Sequence, residues 1–106
     1  MEYKIEKEFG TKWVEGLRSG KFDQGKFKLY DKDIECYCAL GIAAEVNGFN
    51  FIANGVMAVK NDKTLNLVDE SVVSMKLYSK ICEMNDHDKM CFTEIADWIE
   101  TNVEFI

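Results

Sequence analysis

Five residues in one short stretch carry the chemistry most easily read from this chain. Arg18, Lys21, Gln24, Lys26 and Lys28 surround Gly20 and Gly25 in LRSGKFDQGKFKLY. Glycines leave backbone N–H groups approachable, and basic side chains add charge-assisted hydrogen bonds, so this segment suits an anion-binding lip for a nucleotide or other phosphorylated small molecule. The simpler reading is that Arg18 and Gln24 tie the loop to the adjoining hairpin while the lysines stay solvated. Neither G-x₄-G-K-[ST] nor G-x-G-x-x-G occurs in the chain, which favours that simpler reading.

The nucleophiles and metal-ligand types are scattered. Cys36, Cys38, Cys82 and Cys91 lack the C-x₂₋₄-C spacing from which zinc sites are built, and His87 is the only histidine. All four cysteines are expected to be reduced thiols, most of them acting as small buried hydrophobes. Asn85-Asp86-His87-Asp88 reads as a helix-ending turn, with Asn85 taking left-handed geometry, in preference to a metal site. Cys38 at a helix N-terminus is expected to be modestly activated at most. With one histidine and dispersed carboxylates, no nucleophile, base and orienting group assemble into a catalytic set. No enzyme activity, metal or cofactor is expected.

Charge offers a different function. The net charge is −6, and residues 54–106 hold 5 Lys/Arg against 10 Asp/Glu, while residues 1–53 are near balance with 8 against 9. An acidic half repels phosphate backbones, disfavouring DNA or RNA, and attracts a basic site on a protein partner. Glu94, Asp97, Glu100 and Glu104 are the candidate partner-binding residues. The plainer alternative is a solvated helix face that keeps the protein soluble.

Positioning these groups requires several short elements. Residues 11–19 place Trp13, Val14 and Leu17 on one helical face, with Thr11 or Gly10 near the start and Gly20 as the stop. KFDQ reads as loop; KFKLY, DKD and IECYC then read as strand, turn and strand, with Phe27 and Leu29 on one side and Lys26, Lys28 and Tyr30 on the other. CALGIAAEV, ending at Asn47-Gly48, is a buried helix whose small residues let the N-terminal helix cross closely.

A second hairpin is expected from residues 56–60 and 64–68 around Asn61-Asp62-Lys63. Asp69 or Ser71 is the expected cap of a helical stretch through Val72, Val73, Met75 and Lys76, and Leu77, Ile81 and Met84 continue at helical spacing. The clearest helix is CFTEIADWIETNV, with Phe92, Ile95, Ala96, Ile99 and Val103 on one face and Cys91 or Thr93 as its cap. The apolar end, Phe105-Ile106, is expected to dock. At 106 residues and 47% hydrophobic, the chain has enough apolar surface for one core. The expected fold is α+β: a compact single domain, residues 1–106, of about four helices with two short β-hairpins. With no apolar run long enough to span a bilayer, a cytoplasmic location without membrane contact is expected.

Two separated motifs also resemble a known group. Trp13, Leu17, Arg18, Ser19, Gly20, Lys21, Phe22, Gln24 and Gly25, followed by Tyr37, Cys38, Leu40, Gly41, Ile42, Glu45, Val46 and Gly48, look like the W-x₃-LRSGK[FY]-x-QG … [CY]C-x-LG[IV] signature of small uncharacterised proteins of tailed bacteriophages and prophages. Met84-Asn85-Asp86 and residues 92–100 are similar to the end of that pattern. Where the group has adjacent cysteines this chain has Tyr37-Cys38, and its middle region is shorter. The resemblance implies a viral accessory protein in a bacterial host cell. The expected function is non-enzymatic binding of a host protein, inhibiting an antiviral defence; the alternative is sequestering a nucleotide-like small molecule at the 18–28 loop.

Overall fold

Apolar residues at i, i+4 and i+8 build the first helix. Phe9, Trp13 and Leu17 face inward from α1 (Lys7–Arg18), together with Gly10 and Val14. The computed structural model describes residues 2–66 and 69–106. The helix starts four residues before the expected position, because its buried face continues back to Phe9 and because the Lys7 amide donates to the Ile106 carbonyl at 2.9 Å. That bond satisfies one of the donors a helix start leaves open. Gly10 is therefore interior to the helix, beneath the Phe105 ring.

Both expected hairpins are present, each enlarged by a third strand. In the first, β2 (Asp23–Gln24) pairs parallel with β4 (Cys36–Tyr37), and β4 pairs antiparallel with β3 (Tyr30–Asp31). The expected strand over 26–30 is mostly irregular: Phe27 adopts φ 70° with its ring 73% exposed, while Leu29 is buried, so the two do not share a face. A positive φ breaks strand geometry for any side-chain-bearing residue. In the second hairpin, β5 (Asn50–Ile52), β6 (Met57–Lys60) and β7 (Lys63–Leu65) form an antiparallel meander. Lys60 opposite Lys63 leaves Asn61-Asp62 as the turn, with Asn61 at φ 57°. Leu67 and Val68, the end of the expected 64–68 strand, lie outside the described residues. A third sheet pairs β1 (Tyr3–Ile5) parallel with β8 (Val103–Phe105).

The central helix α2 (Ala39–Val46) is buried on nearly every side and crosses α1. Two glycines allow close approaches to this helix, Gly16 where α1 crosses it and Gly41 where the Leu29 backbone passes it. A Cβ on Gly41 would lie 1.7 Å from the Leu29 carbonyl oxygen, and one on Gly16 would lie 2.8 Å from Val46. Between the helices the Trp13 Nε1–H donates to the Ala39 carbonyl at 2.9 Å, both residues fully buried.

Helix α3 (Met75–Cys82) is capped by Ser74, whose Oγ accepts from the Leu77 amide at 3.2 Å. Asp69 and Ser71, the expected caps, belong to the preceding turn, in which Asp69 accepts from the Ser71 amide at 2.9 Å. The helix widens directly into a π turn, Glu83–His87, closed by Asp88 N–H to Glu83 O at 3.0 Å. Asn85 is not left-handed there; Lys89 takes that role at φ 56°. Helix α4 (Phe92–Asn102) has Cys91 as its N-cap in a capping box with Glu94, buries Ile95, Ala96 and Ile99, and passes without a loop into β8.

Trp13, Leu17, Leu40, Ile42, Leu77, Ile81, Ile95 and Ile99 meet in one core. The radius of gyration is 12.3 Å, against about 13 Å for a single globular unit of this size. The chain is one compact α+β domain.

Candidate functional site

The 18–28 loop spends most of its polar groups internally. Arg18, the last residue of α1, reaches across to α4, where its Nη2 donates to Asp97 Oδ1 at 2.8 Å and pairs with Glu100. These hydrogen bonds to carboxylates, Asp97 first, hold the Arg18 proton even more firmly than usual. Gln24 Nε2 donates to Asn85 Oδ1 and to the Met90 carbonyl, both at 2.8 Å. The Gly25 amide donates to the Tyr37 carbonyl at 2.7 Å, and the Phe27 amide to Asp86 Oδ1 at 3.3 Å. Lys21 and Lys26 are exposed, Lys28 half-buried, and none of the three forms an ion pair among the described residues. The loop thus joins β2 to the turn after α3 and retains three lysines at its rim.

Asn85 is the residue whose role the linear sequence hid. It is 2% exposed. Its Oδ1 accepts from Gln24 and from the Ala39 amide at 3.2 Å, while its Nδ2 donates to the Gly25 carbonyl at 2.9 Å and to Asp86 Oδ1 at 2.8 Å. Ala39 is the first residue of α2, so Asn85 satisfies a helix-start amide that the Cys38 side chain leaves uncapped. Among the described residues no buried side-chain nitrogen or oxygen is without a partner. In the sequence Asn85 stands at the head of a polar run, Asn85-Asp86-His87-Asp88, that reads as a turn.

The acidic set divides. Glu94 accepts from the Cys91 amide at 2.9 Å, and that bond holds its carboxyl below the usual carboxylate range. Asp97 and Glu100 share Arg18. Glu104 lies on β8, exposed, in register with Lys4 of β1. All four are on the α4–β8 unit; the two central ones are partly neutralised by a residue assigned to the other candidate site.

The four thiols differ in burial. Cys38 is buried at the start of α2, and loss of solvation pushes its thiol up to about 12. The expected modest activation is therefore overturned: burial outweighs the help a helix N-terminus gives a thiolate. Cys82 is pushed up to about 11 for the same reason. Cys91 is exposed, and all four cysteines are free thiols. Among the described residues, no group of three or more His, Cys, Asp and Glu side chains is gathered for a metal ion, and no helix is long and apolar enough to cross a membrane.

No family model, no curated protein and no solved structure gives a significant match to this chain. Several signature positions nonetheless have direct physical reasons. The Tyr37 hydroxyl donates to Glu45 Oε1 at 2.8 Å, and the Tyr37 ring meets Phe22 edge to face and Tyr30 at a tilt. Trp13, Gln24, Gly25 and Gly41 are explained by the contacts above.

A cleft elsewhere was not legible in advance. It encloses about 450 Å³ between the start of α1 and the β6–β7 hairpin, and four lysines line it: Lys4, Lys12, Lys60 and Lys63. They come from three separate segments, so no linear motif announces them.

Proposed function

We propose that this chain is a non-enzymatic accessory protein of a tailed phage or prophage that works in the cytoplasm of its bacterial host by binding a host protein, and that this binding blunts an antiviral defence. The observation that carries the reading is the ordered acidic surface of α4 and β8. Arg18 holds Asp97 and Glu100 at one orientation, the capping bond holds Glu94, and Glu104 continues the charge along the following strand. Fixing carboxylates in advance lowers the entropy lost on association and suits a basic partner site. The buried thiols and the internally bonded Gln24 and Asn85 favour binding over catalysis.

The alternative, capture of a nucleotide-like molecule at the 18–28 loop, has weaker support because Arg18, Gln24 and the Gly25 amide already have partners. The test is affinity capture from bacterial lysate, followed by measurement on the recovered partner. Association should slow with salt and weaken at least about tenfold in an Asp97→Lys, Glu104→Lys double variant, the behaviour of electrostatically steered complexes. Recovery of no partner by the intact chain, or binding indifferent to both salt and the double variant, counts against it.

A further inference from the structure

The cleft beside β1 reverses the charge of the protein around it. Lys4 on β1, Lys12 on α1, and Lys60 and Lys63 flanking the hairpin turn face it, against Glu6 and Glu8. In a chain of net charge −6, lysines thus outnumber acidic side chains in the lining by two. Glu8 is already paired with Lys12 at 3.2 Å, which leaves Lys4, Lys60 and Lys63 facing Glu6.

These lysines differ in what holds them. The Lys60 ammonium donates to the Asn47 carbonyl at 2.8 Å and is anchored at the edge of the cleft. Lys4 and Lys63 have no ion-pair or hydrogen-bond partner among the described residues. Lys4 has Glu104 as its strand neighbour in register, so one acidic group approaches from the side of β8. The cleft also has an apolar component: Ile5, Phe9, Phe49 and Val72 contribute to its lining, and the Phe9 and Phe49 rings meet edge to face at 6.2 Å.

We propose that this cleft binds a nucleoside monophosphate, with the phosphate among Lys4, Lys60 and Lys63 and the base against the accessible apolar lining, Val72 and Ile106, above the buried Phe9 and Phe49. A phosphate monoester carries nearly two negative charges at neutral pH, which the excess of lysines over acidic side chains in the lining complements. Ammonium groups recognise phosphate as point charges and need no shared plane. The volume lies within the range of small-ligand sites, which combine apolar walls with a few polar groups. The site is separate from the acidic helix, so the proposal extends the function proposed above and does not depend on it.

The test is an NMR titration of the isotopically labelled full chain with adenosine monophosphate, adenosine and ribose 5-phosphate in parallel. Saturable shifts are expected at Lys4, Phe49 and Lys63 with the nucleotide, with adenosine and the sugar phosphate each at least about tenfold weaker. A Lys4→Gln, Lys63→Gln variant should weaken the nucleotide at least about tenfold, while Lys32→Gln, Lys89→Gln, at two exposed lysines outside the cleft lining, leaves it within about twofold. Because the Lys4 and Lys63 side chains are exposed and their ammonium groups carry no bond among the described residues, the first variant is expected to keep the wild-type spectrum elsewhere. No saturable shift at about 10 mM nucleotide, adenosine or ribose 5-phosphate binding as tightly as the nucleotide, or indifference to the Lys4 and Lys63 changes would each overturn the proposal.

Discussion

Arg18 Nη2 lies 2.8 Å from Asp97 Oδ1, joining two surfaces that are 79 residues apart in the chain. A basic loop and an acidic helix that look like separate sites in sequence are partners in space. Each dampens the other's charge.

Replacing Arg18 by Ala should cause only a small loss of stability, and one that shrinks as salt is added, because the pairs are solvent-exposed. The informative readout is electrostatic. The variant should move faster toward the anode in native electrophoresis, since Asp97 and Glu100 keep their charge without the guanidinium beside them. Denaturant midpoints at low and high salt check the first part.

Asn85→Ala should be among the most damaging polar substitutions, costing about 2–4 kcal/mol in chemical denaturation. It strands the buried Ala39 amide, takes the Asn85 donor from the half-buried Gly25 carbonyl and removes one of the two acceptors of Gln24. Gln24→Ala should cost less, because Asn85 keeps its other bonds.

Gly41→Ala should destabilise by about 3 kcal/mol or prevent folding, as the added methyl would meet the backbone carbonyl of Leu29 and no rotamer can relieve it. Trp13→Phe keeps most of the apolar volume but removes the indole bond to the Ala39 carbonyl and leaves a small void, at a cost of about 1–3 kcal/mol. Thermal denaturation of both variants checks these figures.

Alkaline pH should destabilise the fold, and the sign follows from the thiols. Burial raises Cys38 to about 12 and Cys82 to about 11, above the unfolded value of 9.0. The folded state therefore holds protons that the unfolded state releases; the stabilisation is whole below about pH 9 and is lost as pH rises toward 11 and 12. Tyr37 and Tyr78 are raised by burial as well and act in the same direction. Cys38→Ala should flatten this slope in denaturation curves taken from neutral to alkaline pH.

Thiol labelling separates the same groups by access. A maleimide at neutral pH should modify Cys91 first, and Cys38 only at the rate of opening of the fold.

Local pattern determined most of the secondary structure. The period of Phe9, Trp13 and Leu17, the small-residue run of α2, and the Cys91 to Glu94 capping spacing each specify a helix through contacts within a few residues, and Asn61-Asp62 specifies a tight turn. The expected strand at 26–30 failed because the bond from the Phe27 amide to Asp86 comes from a segment 59 residues away. The same reason covers β1 with β8, Arg18 with Asp97, Asn85 beneath α2, and the four lysines of the cleft. Each is a pairing between distant segments, where periodicity carries no information about which side chains meet. The residue types able to do chemistry were visible from the start; which of them bond one another and which face a cleft was decided when the helices packed, because burial forces a polar group to take whatever partner the fold brings within reach.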